Sequence, residues 1–413
     1  MPSHARTDEW TGLISLDAVH EAAARLADIC LPTPVWPSRI LSRMAGGSTL
    51  LKCENLQRTG SFKIRGAYNR IARLSGEQRA RGVVAASAGN HAQGVALAAA
   101  LLGVRSTVFM PAGAPLPKVE ATKKYGADVV LHGAVYDESH EQALAFAEEH
   151  GAVLVHPFDH PDVIAGQATV ALEILEQTPD VRTIVVPIGG GGLISGIAAA
   201  AKALRPDIRI VGAEPAGAAT LRRCLDEGRV VTLPEVSTIA DGLAAKRGGD
   251  LTFEYVRRLV DDVVLVTEEE IAQALLLMTE RARLLLEPAA AVGVAAAMTQ
   301  RSTLTFPAVV VASGGNIDPM LLLRVIRFGM TAAGRYFAFR TKLHDRPGEL
   351  ERLAAAVAGV GVNVVGIEHR REGILHSVLG DVEVTIQVEL RGPEHVEQLT
   401  ARLHEAGYEV DPL

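Results

Sequence analysis

The stretch Gly60-Ser61-Phe62-Lys63-Ile64-Arg65-Gly66 places one lysine just past a Gly-Ser turn, after the strand-like run Thr49-Leu50-Leu51-Lys52 and at the head of a helical pattern. A lysine fixed at a strand-to-helix junction has its stem anchored and its amine aimed at the rim of a sheet. Burial at such a place lowers the amine pKa from about 10.4 toward the range in which it is a nucleophile. Taken alone, Lys63 reads more readily as a solvated residue at a helix start, because lysines are mostly exposed. Two further segments change that balance.

The first is Gly189-Gly190-Gly191-Gly192, between the β-branched run Thr183-Ile184-Val185-Val186 and an apolar helical pattern over 193–203. Backbone without side chains at a helix N-terminus presents unpaired N–H groups and the positive end of a dipole, so its natural guest is a phosphate. A dinucleotide fold is the rival, since Glu214 ends the next strand-like run, where a ribose-binding acid belongs. Against it, Ser195 stands where the fingerprint of that fold requires its third glycine. The second segment, Ser313-Gly314-Gly315-Asn316, follows the apolar run 308–312, and a strand-ending turn would use the same glycines. Amine, phosphate cradle and neutral hydroxyl each fall at the carboxyl end of a strand, where α/β sheets bind ligands. Together they meet the requirements of pyridoxal phosphate: a Schiff-base lysine, a phosphate anchor and a partner for the ring nitrogen.

Those residues need a sheet to hold them, and the chain has the pattern for one. Short β-branched runs at 83–87, 106–110, 128–131, 152–155, 183–186, 208–213 and 308–312 alternate with helical patterns, which predicts an α/β sheet with right-handed crossovers. Thr267 and Glu270 form a capping box ahead of a long helix, and Glu287-Pro288 predicts a second helix with proline at its first position. Hydrophobic residues make up 48% of the 413 but aromatics only 4%, so the core is built from Ala, Val, Leu and Ile, as in parallel sheet covered by alanine-rich helices. The length calls for two or three domains. After about residue 330 the pattern changes: strands at 336–343, 363–369, 382–390 and 408–410 with helices at 348–358 and 393–406 predict a ferredoxin-like βαββαβ unit. The division drawn from this is 1–330 and 335–413.

A net charge of -7 gives no basis for nucleic acid or an anionic membrane as partner. The uncharged stretch 183–201 approaches the length of a membrane span, but Pro187 and the four glycines interrupt it, as a strand, loop and helix start would. Residues 1–12 are polar and carry no apolar h-region of a secretory signal. Cys30, Cys53 and Cys224 are odd in number and far apart, which fits neither a disulfide framework nor a CxxC metal site and predicts reduced thiols in the cytoplasm.

With these residues in view, a resemblance can be stated. Ser61-Phe62-Lys63-Ile64-Arg65-Gly66, Ser87-Ala88-Gly89-Asn90-His91-Ala92-Gln93-Gly94, the tetraglycine and Ser313-Gly314-Gly315-Asn316 resemble the serine/threonine dehydratases of the tryptophan-synthase-β-like, fold-type II group. The tail, with Asp345-Arg346-Pro347-Gly348-Glu349-Leu350, is similar to an ACT regulatory domain. The nearest pattern is that of the threonine dehydratases carrying one ACT domain. The resemblance implies a catalytic domain of two α/β subdomains and β-elimination of L-threonine to 2-oxobutanoate and ammonia. It implies that Lys63 holds the cofactor as a Schiff base, that Phe62 packs beside the ring, and that Asn90 bonds the ring 3-oxygen. Gly189, Gly190, Gly191 and Gly192 with Leu193 would bind the phosphate, and Ser313 would pair with the pyridine nitrogen. The loop of Ser87, Ala88, Gly89, Asn90 and His91 would receive the substrate carboxylate, with Gly242 lining the other side of the pocket. In the tail, the N–H groups of Gly348, Glu349 and Leu350 would take the carboxylate of an amino-acid effector, isoleucine or valine, and Asp345 its ammonium group. Pairing of ACT domains would make the protein a homodimer or homotetramer.

The chain also departs from its relatives. Racemases of the group have a serine acting as base at the position of Ala88, and a methyl cannot move protons. Members that bind a divalent cation supply an aspartate where this chain has Thr220, so no metal is assigned at Glu214. His91 reads as a proton shuttle or as a residue orienting its loop, and Glu287 as a group approaching the cofactor or as a helix cap. Two rival functions stand beside threonine: a dehydratase for L-serine or 3-hydroxyaspartate, distinguished by as little as one methyl, and an amino-acid-sensing binding protein without catalysis, for which Lys63 would have no use.

Overall fold

The computed structural model describes residues 13–370 and 381–413 of the chain; the polar segment read for a secretory signal lies outside them. Contacts divide the chain into two units, Met1–Pro319 and Met320–Leu413.

The first unit contains two sheets. The larger has six strands in the order Val35–Pro37, Thr49–Lys52, Ala308–Val311, Thr183–Pro187, Arg209–Pro215 and Asp262–Val266. Its first pair is antiparallel and the others are parallel. The smaller sheet is parallel throughout, in the order Asp128–Leu131, Ser106–Met110, Val83–Ala86 and Val153–Leu154. The central strands Thr183–Pro187 and Ala308–Val311 are buried along their whole length, as expected of β-branched runs in a sheet covered on both faces. The uncharged stretch at 183–201 resolves into the strand Thr183–Pro187 and the helix Gly192–Leu204. No helix among the described residues is long and apolar enough to cross a membrane.

Small residues let three helices near the strand ends approach closely. A Cβ at Gly166, in the helix Pro161–Gln177, would lie 2.5 Å from the carbonyl oxygen of Arg65, in the helix Lys63–Ala72. A Cβ at Gly196, in Gly192–Leu204, would lie 2.5 Å from the carbonyl oxygen of Ile164. The helix at Lys63 and the helix after the tetraglycine therefore rest on the same neighbour, and a side chain at either glycine would push them apart. Pro288–Thr299 is alanine-rich and buried on almost every side, the pattern of a helix at the centre of a core. Thr267 and Glu270 form the expected reciprocal cap at the helix Glu268–Leu277.

After the helix Pro319–Ala332, which begins at the last residue of the first unit, the second unit has the element order β-α-β-β-α-β. Its antiparallel sheet runs Asn363–Arg370, Asp381–Glu389, Tyr336–His344 and Asp411–Pro412. Val382, Val384, Ile386 and Val388 alternate inward against Leu353, Val357, Leu399 and Leu403 of its helices Glu349–Ala358 and Pro393–Glu405. The strand expected at 408–410 is displaced. Tyr408 is drawn into this core, and only Asp411 and Pro412 pair, with Arg340 and Phe339.

Candidate active site

The strands that lead to the three motifs, Thr49–Lys52, Ala308–Val311 and Thr183–Pro187, are neighbours in the six-stranded sheet. Their carboxyl ends share one edge, so the residues beyond them converge. Two short 3₁₀ turns, Glu54–Leu56 and Arg58–Gly60, carry the chain from the first strand to the helix Lys63–Ala72. Thr59 takes a positive φ of 63° inside this connection. The lysine turn is bound to the serine turn by backbone: Phe62 N–H donates to Ser313 O at 3.2 Å, and Gly315 N–H donates to Gly60 O at 2.9 Å.

Lys63 Nζ donates to the carbonyl oxygen of Pro157 at 2.9 Å and lies 5.2 Å from the centroid of the Phe62 ring. The residue keeps some exposed surface, but burial around the amine lowers its pKa to about 8, with the charge of Glu287 opposing the shift. The helix Asn90–Leu101 packs tightly against this point, since a Cβ at Gly94 would lie 3.1 Å from the Lys63 carbonyl carbon.

At the tetraglycine, Gly191 is the N-cap of Gly192–Leu204 with a φ of 94°, and no side chain caps that helix end. Its first turn contains no acidic residue, so the N–H groups left over by helix geometry face no competing negative charge on their own helix. A Cβ at Gly190 would lie 2.2 Å from the Phe158 ring, and one at Gly189 would lie 3.3 Å from the carbonyl oxygen of Gly242. Thr252 Oγ1 donates to Gly190 O at 2.7 Å, and Asp159 accepts from the N–H of Thr252 at 3.0 Å. The loop is thus held from behind by Phe158, Thr252 and the Gly242 turn.

The loop from Ser87 to His91 follows the strand Val83–Ala86 of the smaller sheet. Gly89 N–H donates to Ser87 Oγ at 3.1 Å, and Ala88 packs against the core of that lobe. His91 Nε2 lies 2.7 Å from Val155 O. A carbonyl only accepts, so Nε2 carries the proton. Burial and then the charge of Lys63 press the His91 pKa down to about 3, which keeps the ring neutral. Asn90 Nδ2 donates to Glu287 Oε1 at 2.6 Å, and Asn90 Oδ1 accepts from Asn316 Nδ2 at 2.8 Å.

Glu214 is buried, which raises its pKa to about 7, and it accepts from the N–H groups of Leu221 and Arg222, both at 2.8 Å. Its oxygens are occupied at the start of the helix Thr220–Glu227. Among the described residues no group of three or more His, Cys, Asp or Glu is placed to hold a metal ion. Asp345, Gly348, Glu349 and Leu350 belong to the second unit, where Glu349 pairs with Arg352 at 3.1 Å.

Several contributors escaped sequence reasoning. The carbonyl of Pro157 and the ring of Phe158 lie in the segment joining Val153–Leu154 to Pro161–Gln177, and neither residue type signals a role. A buried ion network fixes the lysine helix: Arg65 bonds Glu54 at 2.8 Å and Glu173 at 2.6 Å, and Lys52 bonds Glu173 at 2.5 Å. Arg65 stands in the quoted lysine motif, but its partners are distant in sequence.

A family model of the pyridoxal-phosphate dependent enzymes matches residues 26–314. The chain belongs to that family. It is 46% identical over 398 residues to an L-threonine ammonia-lyase of Thermotoga maritima, a match covering 96% of this chain and 99% of the relative. It is 48% identical over 396 residues to an L-threonine ammonia-lyase of Geobacter sulfurreducens, covering 96% and 98%. Among solved structures, maize serine racemase superposes with a TM-score of 0.72 at 43% identity, covering 75% of this chain and 96% of that one.

The residues present fit the cofactor of the family. Side-chain-free backbone at an uncapped helix start suits a phosphate, and the filled space behind Gly189 and Gly190 leaves no room for side chains there. The amine of Lys63 has a lowered pKa. The buried hydroxyl of Ser61, two residues before it in the chain, has no protein partner, as a polar atom awaiting a ligand would.

Proposed function

We propose that this protein is a pyridoxal-phosphate-dependent lyase that converts L-threonine to 2-oxobutanoate and ammonia. The observation that carries this reading is the likeness, over 96% of the chain, to two L-threonine ammonia-lyases. When bound, pyridoxal phosphate supplies an electrophilic carbon for the substrate amine and a conjugated ring that takes up the electron pair left at Cα.

The chain's own residues bind, orient and move protons. Backbone N–H groups of Gly189, Gly190, Gly191, Gly192 and Leu193 hold the phosphate at the positive end of a helix dipole. Phe62 would pack beside the ring, Asn90 would donate to the ring oxygen, and Ser313 would meet the pyridine nitrogen with a neutral hydroxyl. The loop of Ser87, Ala88, Gly89, Asn90 and His91 takes the substrate carboxylate, with Gly242 on the facing wall. His91 serves by orienting that loop, since its proton is committed to Val155 O and its ring stays neutral. Lys63 Nζ removes the Cα proton and returns a proton to the departing β-hydroxyl. Loss of water from threonine and hydrolysis of the released imine balance to 2-oxobutanoate and ammonia. Ala88 offers only a methyl group opposite, so racemisation is a minor reaction.

The test is a keto-acid assay across L-threonine, L-serine and 3-hydroxyaspartate, with Lys63→Ala as control. Turnover highest with L-threonine and absent in the control is expected. No 2-oxobutanoate from L-threonine would overturn the reading.

Residues 335–413 read as an ACT regulatory domain of ferredoxin-like fold, and 1–330 as the catalytic domain. The β-α-β-β-α-β order and the four-stranded antiparallel sheet support this. An effector, isoleucine or valine, would place its carboxylate on the N–H groups of Gly348, Glu349 and Leu350 and its ammonium group at Asp345. It alters turnover only by binding two activity states with different affinities. Pairing of such domains makes the protein a homodimer or homotetramer. Three free, buried thiols suit a reducing compartment, and we place the protein in the cytoplasm.

A further inference from the structure

Glu287 stands at the N-cap of Pro288–Thr299, yet its side chain caps nothing there. Its carboxyl instead reaches across 197 residues of sequence to accept from Asn90 Nδ2 at 2.6 Å, with the residue only 5% exposed. Glu287 N–H donates to Gly314 O at 3.1 Å, and a Cβ at Gly314 would lie 2.3 Å from Glu287 Oε1. The carboxyl is therefore wedged between the serine turn and Asn90. Burial pushes its pKa up to about 7, a cost that a surface helix cap would not carry.

On its other side Asn90 is held by Asn316, whose Nδ2 donates to Asn90 Oδ1 at 2.8 Å and to Thr59 O at 2.5 Å. This chain of contacts has a direction. In its carboxylate form Glu287 only accepts, and so selects the amide orientation in which Nδ2 of Asn90 faces it. The amide oxygen is committed to Asn316. The second hydrogen on Nδ2 is what remains for a ligand. Without an acceptor at 287, one of the two restraints on the amide is lost, and the donor left over is no longer fixed in place.

We propose that Glu287 is a positioning residue that sets the amide of Asn90 so that one N–H is presented to the cofactor ring oxygen. This rests on the reading of Asn90 as the donor to that oxygen.

The test measures affinity of the full-length apoprotein for pyridoxal phosphate, followed by the visible absorbance of the bound cofactor. The variants are Asn90→Ala, Glu287→Gln, Glu287→Ala and the double Asn90→Ala/Glu287→Ala, each checked for folding by circular dichroism. Glu287→Ala is expected to weaken binding about 10- to 100-fold. Glu287→Gln, which still offers an acceptor, restores most of that loss. The double variant binds no more weakly than Asn90→Ala alone, because Glu287 acts only through Asn90. If Glu287→Ala does not fold, Glu287→Leu, which fills much of the space without an acceptor, takes its place with the same expectation. Unchanged affinity on losing the acceptor, multiplying losses in the double variant, or a Gln variant as weak as the Ala variant each overturn the positioning role and leave the part played by Asn90 intact. Unchanged affinity in Asn90→Ala overturns the reading of Asn90 and this inference with it.

Discussion

The ring of Phe158 lies so close to Gly190 that a Cβ built on the glycine would sit 2.2 Å from its edge. A Cβ at Gly192 would likewise fall 2.7 Å from Phe158 Cβ. The aromatic side chain closes one side of the tetraglycine loop, and interiors packed this densely cannot absorb an extra methyl. Gly190→Ala is expected to displace the loop and strip most of the pyridoxal phosphate from the purified protein. Adding Phe158→Ala should restore part of it. Cofactor content, read by absorbance, checks both; full content in Gly190→Ala would place the phosphate elsewhere.

On the proposed reading, capture of the cofactor requires the neutral amine of Lys63. Burial, against the opposing charge of Glu287, brings that amine to about 8 from 10.5. The rate of capture by the apoprotein should therefore rise about tenfold per pH unit and level off above about pH 8, where an ordinary lysine would continue to gain past pH 10. Stopped-flow absorbance reads the profile. The same shift has a stability consequence with a fixed sign. Between about pH 8 and 10.5 the unfolded chain holds a proton that the folded chain lacks, so the apoprotein gains stability as pH rises through that window. Borohydride reduction after capture should fix the cofactor to the peptide containing Lys63, and label on another lysine would remove Lys63 from the mechanism.

Arg65 is 1% exposed and Glu54 and Lys52 are fully buried. Burial alone would raise the pKa of Glu54, but Arg65, joined by Lys52 and Thr33, outweighs it and holds the carboxyl below its ordinary value. Glu54→Gln would leave surplus positive charge between the large sheet and the lysine helix. The expected cost is about 3–5 kcal/mol, read as a lower midpoint in chemical denaturation. Cofactor content should fall as well, because Arg65 lies in the helix that begins with Lys63. An unchanged midpoint would mean that the network relaxes around the loss.

How much of this was legible in the sequence depended on range. Lys63, the tetraglycine and Ser313 stand in local motifs, and the need for an amine or for bare backbone leaves a local mark. That their three strands lie side by side has no such mark, since Thr49–Lys52, Thr183–Pro187 and Ala308–Val311 are joined by long crossovers and parallel order is written in no single segment. The partner of Lys63 is a backbone carbonyl 94 residues away, and carbonyls carry no residue signature. Glu287 had two equal readings until its carboxyl was seen to leave its own helix end for Asn90. The alternation around Tyr408 resembled a strand, but tertiary packing claimed that side chain for the core and moved the pairing to Asp411.

In the second unit, Gly348 holds a φ of 93° at the N-cap of Glu349–Ala358, and the space where a Cβ would point is open. Backbone conformation, not room, is therefore what glycine provides. Gly348→Val forces a β-branched residue into the left-handed region at a cost of about 1–2 kcal/mol, which the turn can relieve only by turning the N–H groups that follow it. On the ACT reading those groups hold the effector carboxylate. The variant should bind isoleucine or valine about tenfold more weakly and need correspondingly more of it to change turnover, while turnover without effector stays as in the parent enzyme. Calorimetric titration of the full-length protein, paired with the keto-acid assay, measures both. A variant that binds and responds like the parent would move the effector away from this turn, and a parent enzyme that binds neither amino acid would remove the regulatory reading of residues 335–413.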